Sequence, residues 1–260
     1  MTGRTRRTLL AGAGLTIATV GAGCLDETSD PGSGSDDEPS DGDGTDDGAD
    51  DDGAGGDDED GEAIDEEPRV DEPPHAIERP DVDDEDDPWE AWDDHYLGAE
   101  MATEPTVEFD TLSGVRLAAP ALRYGEIEHG ESAYAVRLVD TEDELGETID
   151  LEASDDDSRT TLDGVDFDDR VVIVVESGFG SGSVDQRWAR IEAVDDGLHL
   201  HGYYTQPYEQ TDDIASYHSV LVADRPDETD PIALARASLT VSEDRRVHVN
   251  STEGLVTVET

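Results

Sequence analysis

The sequence predicts a β-rich α+β domain, built of largely antiparallel sheets with one or two short helices and preceded by a disordered acidic linker. An unbroken apolar run at Val171–Val175 is typical of a central strand covered on both faces. Asp195-Asp196-Gly197 indicates a hairpin turn between two strands. The linker prediction follows from the stretch Asp26 to Glu67, which has many carboxylates and no basic residue. Such a segment buries too little apolar surface to offset its chain entropy.

Three segments are expected along the chain. Residues 1–23 form a signal peptide, residues 24–86 a lipidated N-terminus with the disordered linker, and residues 87–260 a single globular domain. A chain of about 170 residues is long enough for one domain with a substantial core.

The first segment has the pattern of a twin-arginine export signal. Arg6 and Arg7 precede two leucines, and the apolar stretch from Leu9 to Val20 is interrupted only by Gly and Thr. A transmembrane helix is the alternative, but a span needs about 20 apolar residues and this stretch is shorter. We therefore favour a secretory signal of the twin-arginine type.

Cys24 directly follows Gly21-Ala22-Gly23, which resembles the lipobox of secreted lipoproteins. In that motif the cysteine becomes the first mature residue and carries the lipid. Cys24 is the only cysteine in the chain, so it forms no internal disulfide, and a lone cysteine in an exported protein suggests modification. A free, unmodified thiol is the alternative.

The charge composition indicates a high-salt environment and excludes some classes of binding partner. The chain has 70 acidic and 16 basic residues, all of the basic ones arginine, and a formal net charge of −54. Acidic excess without lysine resembles proteins of halophilic archaea, because molar salt shortens the Debye length to about 3 Å and like charges then barely repel. Nucleic-acid binding is excluded for lack of a basic patch. Membrane attachment is expected only through the lipid on Cys24.

Two helices are predicted in the domain. Asp87-Pro88-Trp89-Glu90 is a strong helix start, and Trp89, Trp92 and Tyr96 share one face of a helix that ends by Gly98. That face is either an aromatic ligand platform or, as we favour, a surface that docks onto a sheet. Thr141-Glu142-Asp143-Glu144 is a second capping box and predicts another short helix.

The remaining pattern is one of strands. We place them at Thr106–Phe109, Val115–Ala118, Ala133–Asp140, Arg170–Glu176, Arg187–Asp195, Leu198–Thr205, Tyr217–Ala223, Ala237–Ser242, Arg246–Asn250 and Leu255–Glu259.

Residues 133–226 also carry a family resemblance. A strand leads into the acidic helix Glu142–Gly146, then Val165–Asp168 and the strand Val171–Val175, followed by Gly178–Ser183, a strand pair and Tyr217–Ala223. This order resembles the C-terminal domain of the PrcB protease-complex family, a small β-rich exported domain. The family's turn after the central strand contains a tyrosine that Gly180-Ser181-Gly182-Ser183 lacks, and the strands after Ala237 have no counterpart. The resemblance implies protein interaction beside a surface protease and no catalytic residues.

His199 and His201 are the candidate metal ligands. On a strand both imidazoles lie on one face, and His-x-His supplies two nitrogen ligands to zinc or copper. His218 lies in another strand that is a possible neighbour, and a solvent-facing polar stripe is the favoured alternative. A blue-copper site needs a cysteine thiolate, which is committed at Cys24.

Other chemistry receives little support from the sequence. There is no Gly-x-Ser-x-Gly elbow and no phosphate-binding loop, so we lean against an enzyme and expect no cofactor beyond a divalent metal at the histidines. Asn250-Ser251-Thr252 is an N-glycosylation sequon, with an unmodified turn asparagine as the alternative.

Together these patterns predict a lipid-anchored protein on the extracytoplasmic face of the cell membrane. The favoured role is a non-enzymatic module that binds an envelope protein or assists envelope assembly. A metal-binding envelope protein using His199 and His201, or a small solute-binding lipoprotein, are the alternatives.

Overall fold

A computed structural model describes residues 63–83, 87–105, 107–226 and 232–260. The predictions made for Arg6, Arg7, Cys24 and the linker up to residue 62 lie outside these residues. Within them, no helix is long and apolar enough to cross a membrane.

The described chain is β-rich, with 40% of it in strands and 12% in helices, which confirms the predicted fold class. The strands are β1 (Val70–Asp71), β2 (Phe109–Leu112), β3 (Glu131–Val139), β4 (Arg170–Gly180), β5 (Gln186–Val194), β6 (Gly197–Tyr204), β7 (Ala215–Asp224), β8 (Leu234–Ser242), β9 (Arg245–Asn250) and β10 (Leu255–Glu259). The helices are α1 (Pro88–Ala91), a 3-10 turn (Tyr96–Gly98), α2 (Glu142–Thr148) and α3 (Asp156–Asp163).

The strands form two five-stranded sheets that pack face to face. Sheet A has the order β1-β9-β8-β6-β5 and sheet B the order β10-β3-β4-β7-β2. All neighbouring strands are antiparallel except β6 and β8, which run parallel. Alternate residues of each sheet point inward, as the period of two requires. Leu198, Leu200 and Leu239 of sheet A thereby meet Ile173 and Leu221 of sheet B in one hydrophobic core.

A second apolar layer covers the other face of sheet B. Val172 and Val174 of β4 pack there against Leu145 of α2 and Leu162 of α3. The run Val171–Val175 is therefore buried on both faces, as its unbroken apolar sequence predicted. Val194 pairs with Gly197 across the predicted Asp195-Asp196 turn, which joins β5 to β6 as a hairpin.

The first predicted helix is much shorter than expected. Asp87 caps α1 as predicted, with Trp89 N donating to Asp87 Oδ1 at 3.2 Å, but the helix ends at Ala91 because Trp92 is extended. The indole Nε1 of Trp92 donates to Gln206 O at 2.6 Å, and His95 N donates to Asp93 Oδ1 at 2.8 Å. The bond to Asp93 offers this stretch of backbone an alternative to the helix, and the bond to Gln206 fixes the Trp92 side chain on a distant loop.

Two further predictions at the level of single elements were wrong. Val115–Ala118 is not a strand, since only an isolated bridge joins Leu117 to Ile149. Helix α3 had not been predicted, because its polar sequence carries Leu162 as its only large buried side chain. The helix at Glu142–Thr148 is confirmed, with Thr141 Oγ1 accepting from Glu144 N at 3.3 Å.

The folded part begins upstream of Asp87, in a stretch the sequence assigned to the linker. β1 pairs with β9, with Val70 opposite Val247. Arg69 Nη1 donates to Glu253 Oε2 at 2.8 Å, and Arg236 Nε donates to Glu66 Oε1 at 2.7 Å. Residues 64–71 are attached by specific polar contacts and not by apolar burial. The hydropathy of the sequence therefore did not predict that this stretch is folded.

Candidate functional site

His199 and His201 lie on the outer face of sheet A, opposite Leu198 and Leu200 in the core, as the alternation predicted. The favoured alternative, a solvent-facing polar stripe, was wrong, because the chain that precedes β2 covers this face. The 3-10 turn Tyr96–Gly98 packs against β6 and β8, and His201 is only 5% exposed.

Glu192 of β5 and Arg246 of β9 hold the ring of His201 from two sides. Arg246 Nη2 lies 2.9 Å from His201 Nδ1, and His201 Nε2 lies 3.0 Å from Glu192 Oε2. A guanidinium only donates hydrogen bonds, so Nδ1 accepts and the proton of the neutral ring is on Nε2. His201 therefore donates to the carboxylate of Glu192.

Ser238 of β8 connects His199 to a second histidine. Its Oγ lies 2.7 Å from His199 Nε2 and 2.6 Å from His248 Nδ1. His248 Nε2 in turn lies 2.9 Å from Asp71 Oδ1 on β1. Four side chains from four strands thus form a continuous polar chain across sheet A.

The Ser238, His248 and Asp71 contacts have the composition of a nucleophilic triad, but the serine is fully buried in the middle of the sheet. A nucleophile must reach its substrate within about 3 Å in the reacting complex. Ser238 is buried and its Oγ is bonded to His199 and His248, so among the described residues these side chains form a structural hydrogen-bond network. Sequence reasoning missed Ser238, His248, Asp71 and Glu192; it placed strands at Ala237–Ser242 and Arg246–Asn250 but assigned them no face and no pairing.

Both imidazoles on β6 are neutral at physiological pH. Burial lowers the pKa of His199 to about 3, with the nearby His201 and Arg236 contributing further. Burial also lowers the pKa of His201 to about 4, with Arg190 adding to the effect. The hydrogen bond from Arg190 lowers the pKa of Glu192, which stays ionised.

Glu192, His199 and His201 are close enough to share one cation, since one ligand atom from each lies within 4.8 Å of the others. Two neutral imidazoles and a carboxylate are suitable zinc ligands. The surroundings oppose this use. Ligation through His201 Nε2 moves its proton to Nδ1, where Arg246 already donates a hydrogen bond.

His218 does not join this cluster, so the sequence's suggestion that its strand could neighbour that of His199 was wrong. β7 belongs to sheet B, and His218 Nε2 donates to Val115 O at 3.0 Å instead.

Asn250 is fully buried at the end of β9. Its Nδ2 donates to Ile64 O at 2.7 Å and to Glu66 Oε1 at 2.8 Å, and its Oδ1 accepts from Thr252 N at 2.9 Å. A glycan on Nδ2 cannot be accommodated together with these contacts.

A second feature is the end of the sandwich where the 181–185 and 205–214 loops meet, which we call the loop end. Ser181 Oγ lies 3.0 Å from Thr211 Oγ1, and Gly182 N donates to Asp213 Oδ1 at 3.1 Å. Ile214, 60% exposed, lies on the second of these loops.

Aromatic rings of the N-terminal stretch meet Tyr208 at the loop end, and a separate aromatic pair lies at the end of β4. Trp89 is 56% exposed and meets Tyr208 edge-on, with the ring centroids 5.0 Å apart, and Trp92 lies 5.6 Å from the same tyrosine. Tyr124, 69% exposed, makes an edge contact of 5.5 Å with Phe179 at the end of β4. The sequence placed Trp89 and Trp92 on one aromatic face; Tyr208 comes from a distant loop and could not be assigned to it.

A cleft of about 600 Å³ opens between the two sheets at the same end. Four of its thirteen lining residues are aromatic, and burial raises the pKa of the three tyrosine hydroxyls among them. The rings that line it are Tyr134, Phe179, Tyr204 and Tyr217.

Comparisons of the chain with family models, curated proteins and solved structures found no match.

Proposed function

We propose that this chain is an exported, lipid-anchored surface module of a halophile that binds an envelope protein through the loop end of its sandwich. The observation that carries the proposal is the edge contact between two exposed rings of the loop end, Trp89 and Tyr208, whose centroids lie 5.0 Å apart. Loops at one end of a rigid β-scaffold are frequent binding surfaces.

The chemistry of this end suits a protein partner. Exposed apolar groups that lie together mark interaction sites, whereas scattered ones do not. Tryptophan and tyrosine are enriched at binding hot spots because they bury a large area at little cost in side-chain entropy. These rings give the loop end an apolar surface on a chain of net charge −54. The complementary partner surface has an apolar protrusion flanked by arginines.

The delivery part of the proposal rests on the sequence. Arg6 and Arg7 address the chain for export, Cys24 carries the lipid, and the acidic linker separates the anchor from the domain. The resemblance of residues 133–226 to the PrcB family domain supports a partner beside a surface protease. The module acts by binding and not by catalysis.

Affinity capture from a detergent-solubilised membrane fraction in molar salt tests the proposal. The bait is the full chain, compared with Trp89→Ala/Tyr208→Ala and with the control Leu255→Ala, which removes an exposed leucine at the start of β10. We expect one enriched envelope protein that the double variant loses and the control keeps. No enriched protein, or equal capture by the double variant, contradicts binding through the loop end.

A metal-binding envelope protein is the second candidate, because Glu192 joins His199 and His201 as a third ligand. Elemental analysis of the protein folded in high salt with added zinc decides it. Stoichiometric zinc that is lost in His199→Ala favours this function, and metal-free protein of unchanged stability removes it.

A further inference from the structure

Half of strand β7 has an uncovered edge. β2 pairs with β7 only from Phe109 opposite Ala223 to Leu112 opposite Val220, whereas β7 begins at Ala215. Residues 215–219 therefore have β4 on one side and, within the described ranges, no strand on the other. At about 3.3 Å per residue this edge is roughly 17 Å long.

The backbone of this edge is oriented for further pairing. Asp224 N donates to Glu108 O at 2.9 Å, on the side of β7 where β2 lies. Backbone N–H and C=O groups alternate between the two sides of a strand, so those of His218 and Ser216 point to the same side as those of Asp224. They continue the line of β2 beyond its end.

The chain after β2 is held away from this edge. Gly114 has a φ of +65°, which favours glycine and turns the chain out of the sheet. Ser158 Oγ then donates to Ser113 O at 2.6 Å and Asp155 N donates to Gly114 O at 3.0 Å, both from the start of α3. The bond from His218 Nε2 to Val115 O fixes the turned segment on the outer face of sheet B.

A cleft of about 520 Å³ opens beside the His218–Ser219 end of the uncovered edge. Its base is polar and preformed, with buried Ser219 Oγ donating to buried Gln186 Oε1 at 2.5 Å. Four charged residues line it in equal numbers of each sign, namely Arg116, Arg187, Asp155 and Asp185. This balance differs from the rest of a chain with 70 acidic and 16 basic residues, so an acidic segment is not repelled here.

We propose that the β7 edge at residues 215–219 binds an extended segment of a partner protein by β-strand addition. The segment pairs its backbone with Ser216 and His218 and directs alternate small hydroxyl side chains to Gln186 and Ser219. An uncovered edge with an adjoining cleft is the arrangement that β-strand addition uses, with the backbone supplying affinity and the pockets selecting side chains. The inference rests on the proposed protein-binding function and adds a main-chain contact to it.

The probe for this groove is the peptide acetyl-Thr-Glu-Thr-Val-Thr-Glu-amide, added to the full chain in molar potassium chloride. Hydrogen exchange at the Ser216 and His218 amides reports ladder formation directly. We expect at least tenfold slower exchange at both amides with saturating peptide. The same peptide with alternate amides N-methylated lacks the donors and is expected to give no protection.

Arg116→Glu gives the matched side-chain test, because it makes the lining of the groove net acidic. We expect it to weaken peptide binding at least threefold, while Arg159→Glu on α3 leaves binding unchanged. Equal binding of the methylated peptide, or binding without protection of Ser216 and His218, overturns the proposal, as does no binding at millimolar peptide. If the peptide fails while capture still depends on Trp89 and Tyr208, only the groove is refuted and the proposed function stands.

Discussion

Arg246 donates a hydrogen bond to His201, with Nη2 2.9 Å from Nδ1, so the proton of the neutral imidazole is on Nε2 and directed at Glu192. Burial keeps this ring neutral by lowering its pKa. The consequence is a dependence of stability on pH. The pKa of His201 in the folded protein is about 4, below its ordinary value of 6.5. Between pH 4 and pH 6.5, His201 is therefore largely protonated in the unfolded chain and largely neutral in the folded protein.

The first prediction concerns acid unfolding. The free energy of unfolding should fall as the pH drops from about 6.5 toward 4, by at most about 1.4 kcal/mol per pH unit for this one proton. His201→Gln keeps a donor for Glu192 and an acceptor for Arg246 but does not titrate, so its slope should be shallower. Chemical denaturation at constant high salt measures both proteins. His129→Gln, at an exposed position, is the control, and an unchanged slope in His201→Gln contradicts the assignment.

The second prediction concerns the polar chain across sheet A. Ser238→Ala leaves His199 Nε2 and His248 Nδ1 without their shared partner in a buried region. A buried polar group that loses its hydrogen bond costs about 1–3 kcal/mol, so we expect destabilisation in this range. Thermal unfolding measures it against Thr103→Ala, an exposed control. Stability equal to the control would mean that the network contributes nothing.

The third prediction tests the attachment of residues 64–71. The side chain of Glu253 is 4% exposed and forms an ion pair with Arg69, while Asn250 N donates to its Oε2 at 2.9 Å. Arg69→Leu leaves this carboxylate buried without its cation, and such a loss costs about 3–5 kcal/mol. The double variant Arg69→Leu/Glu253→Leu should recover part of the loss, because it also removes the unpaired charge. Urea unfolding of the single and double variants gives the coupling energy, and additive effects contradict the pairing.

The strands and their faces could be predicted from the sequence, whereas the contacts between strands could not. The apolar run at Val171–Val175 and the Leu-His alternation in β6 predicted strands and faces correctly, because both depend on local periodicity alone. Glu192, Ser238, Asp71 and Arg246 could not be assigned to His199 and His201 from the sequence. Their contacts depend on the order β1-β9-β8-β6-β5, which includes a parallel β6–β8 pair that no local pattern indicates. The predicted long first helix was wrong for the same reason, since Trp92 bonds to Gln206 from a distant loop.

The last prediction concerns Asn250, the only asparagine in the chain and part of its sequon. Its Nδ2 donates both of its hydrogens, to Ile64 O and Glu66 Oε1, while the residue itself is fully buried. We expect the protein purified from its native membrane to carry no glycan there, and the intact mass of the fragment that contains Asn250 measures this. Asn250→Asp should be destabilised by more than 1 kcal/mol, because it places a carboxylate beside Glu66 and removes two donors from a buried site. A glycosylated Asn250 in folded protein would show that residues 64–66 detach from Asn250, so the same measurement tests the attachment of residues 64–71.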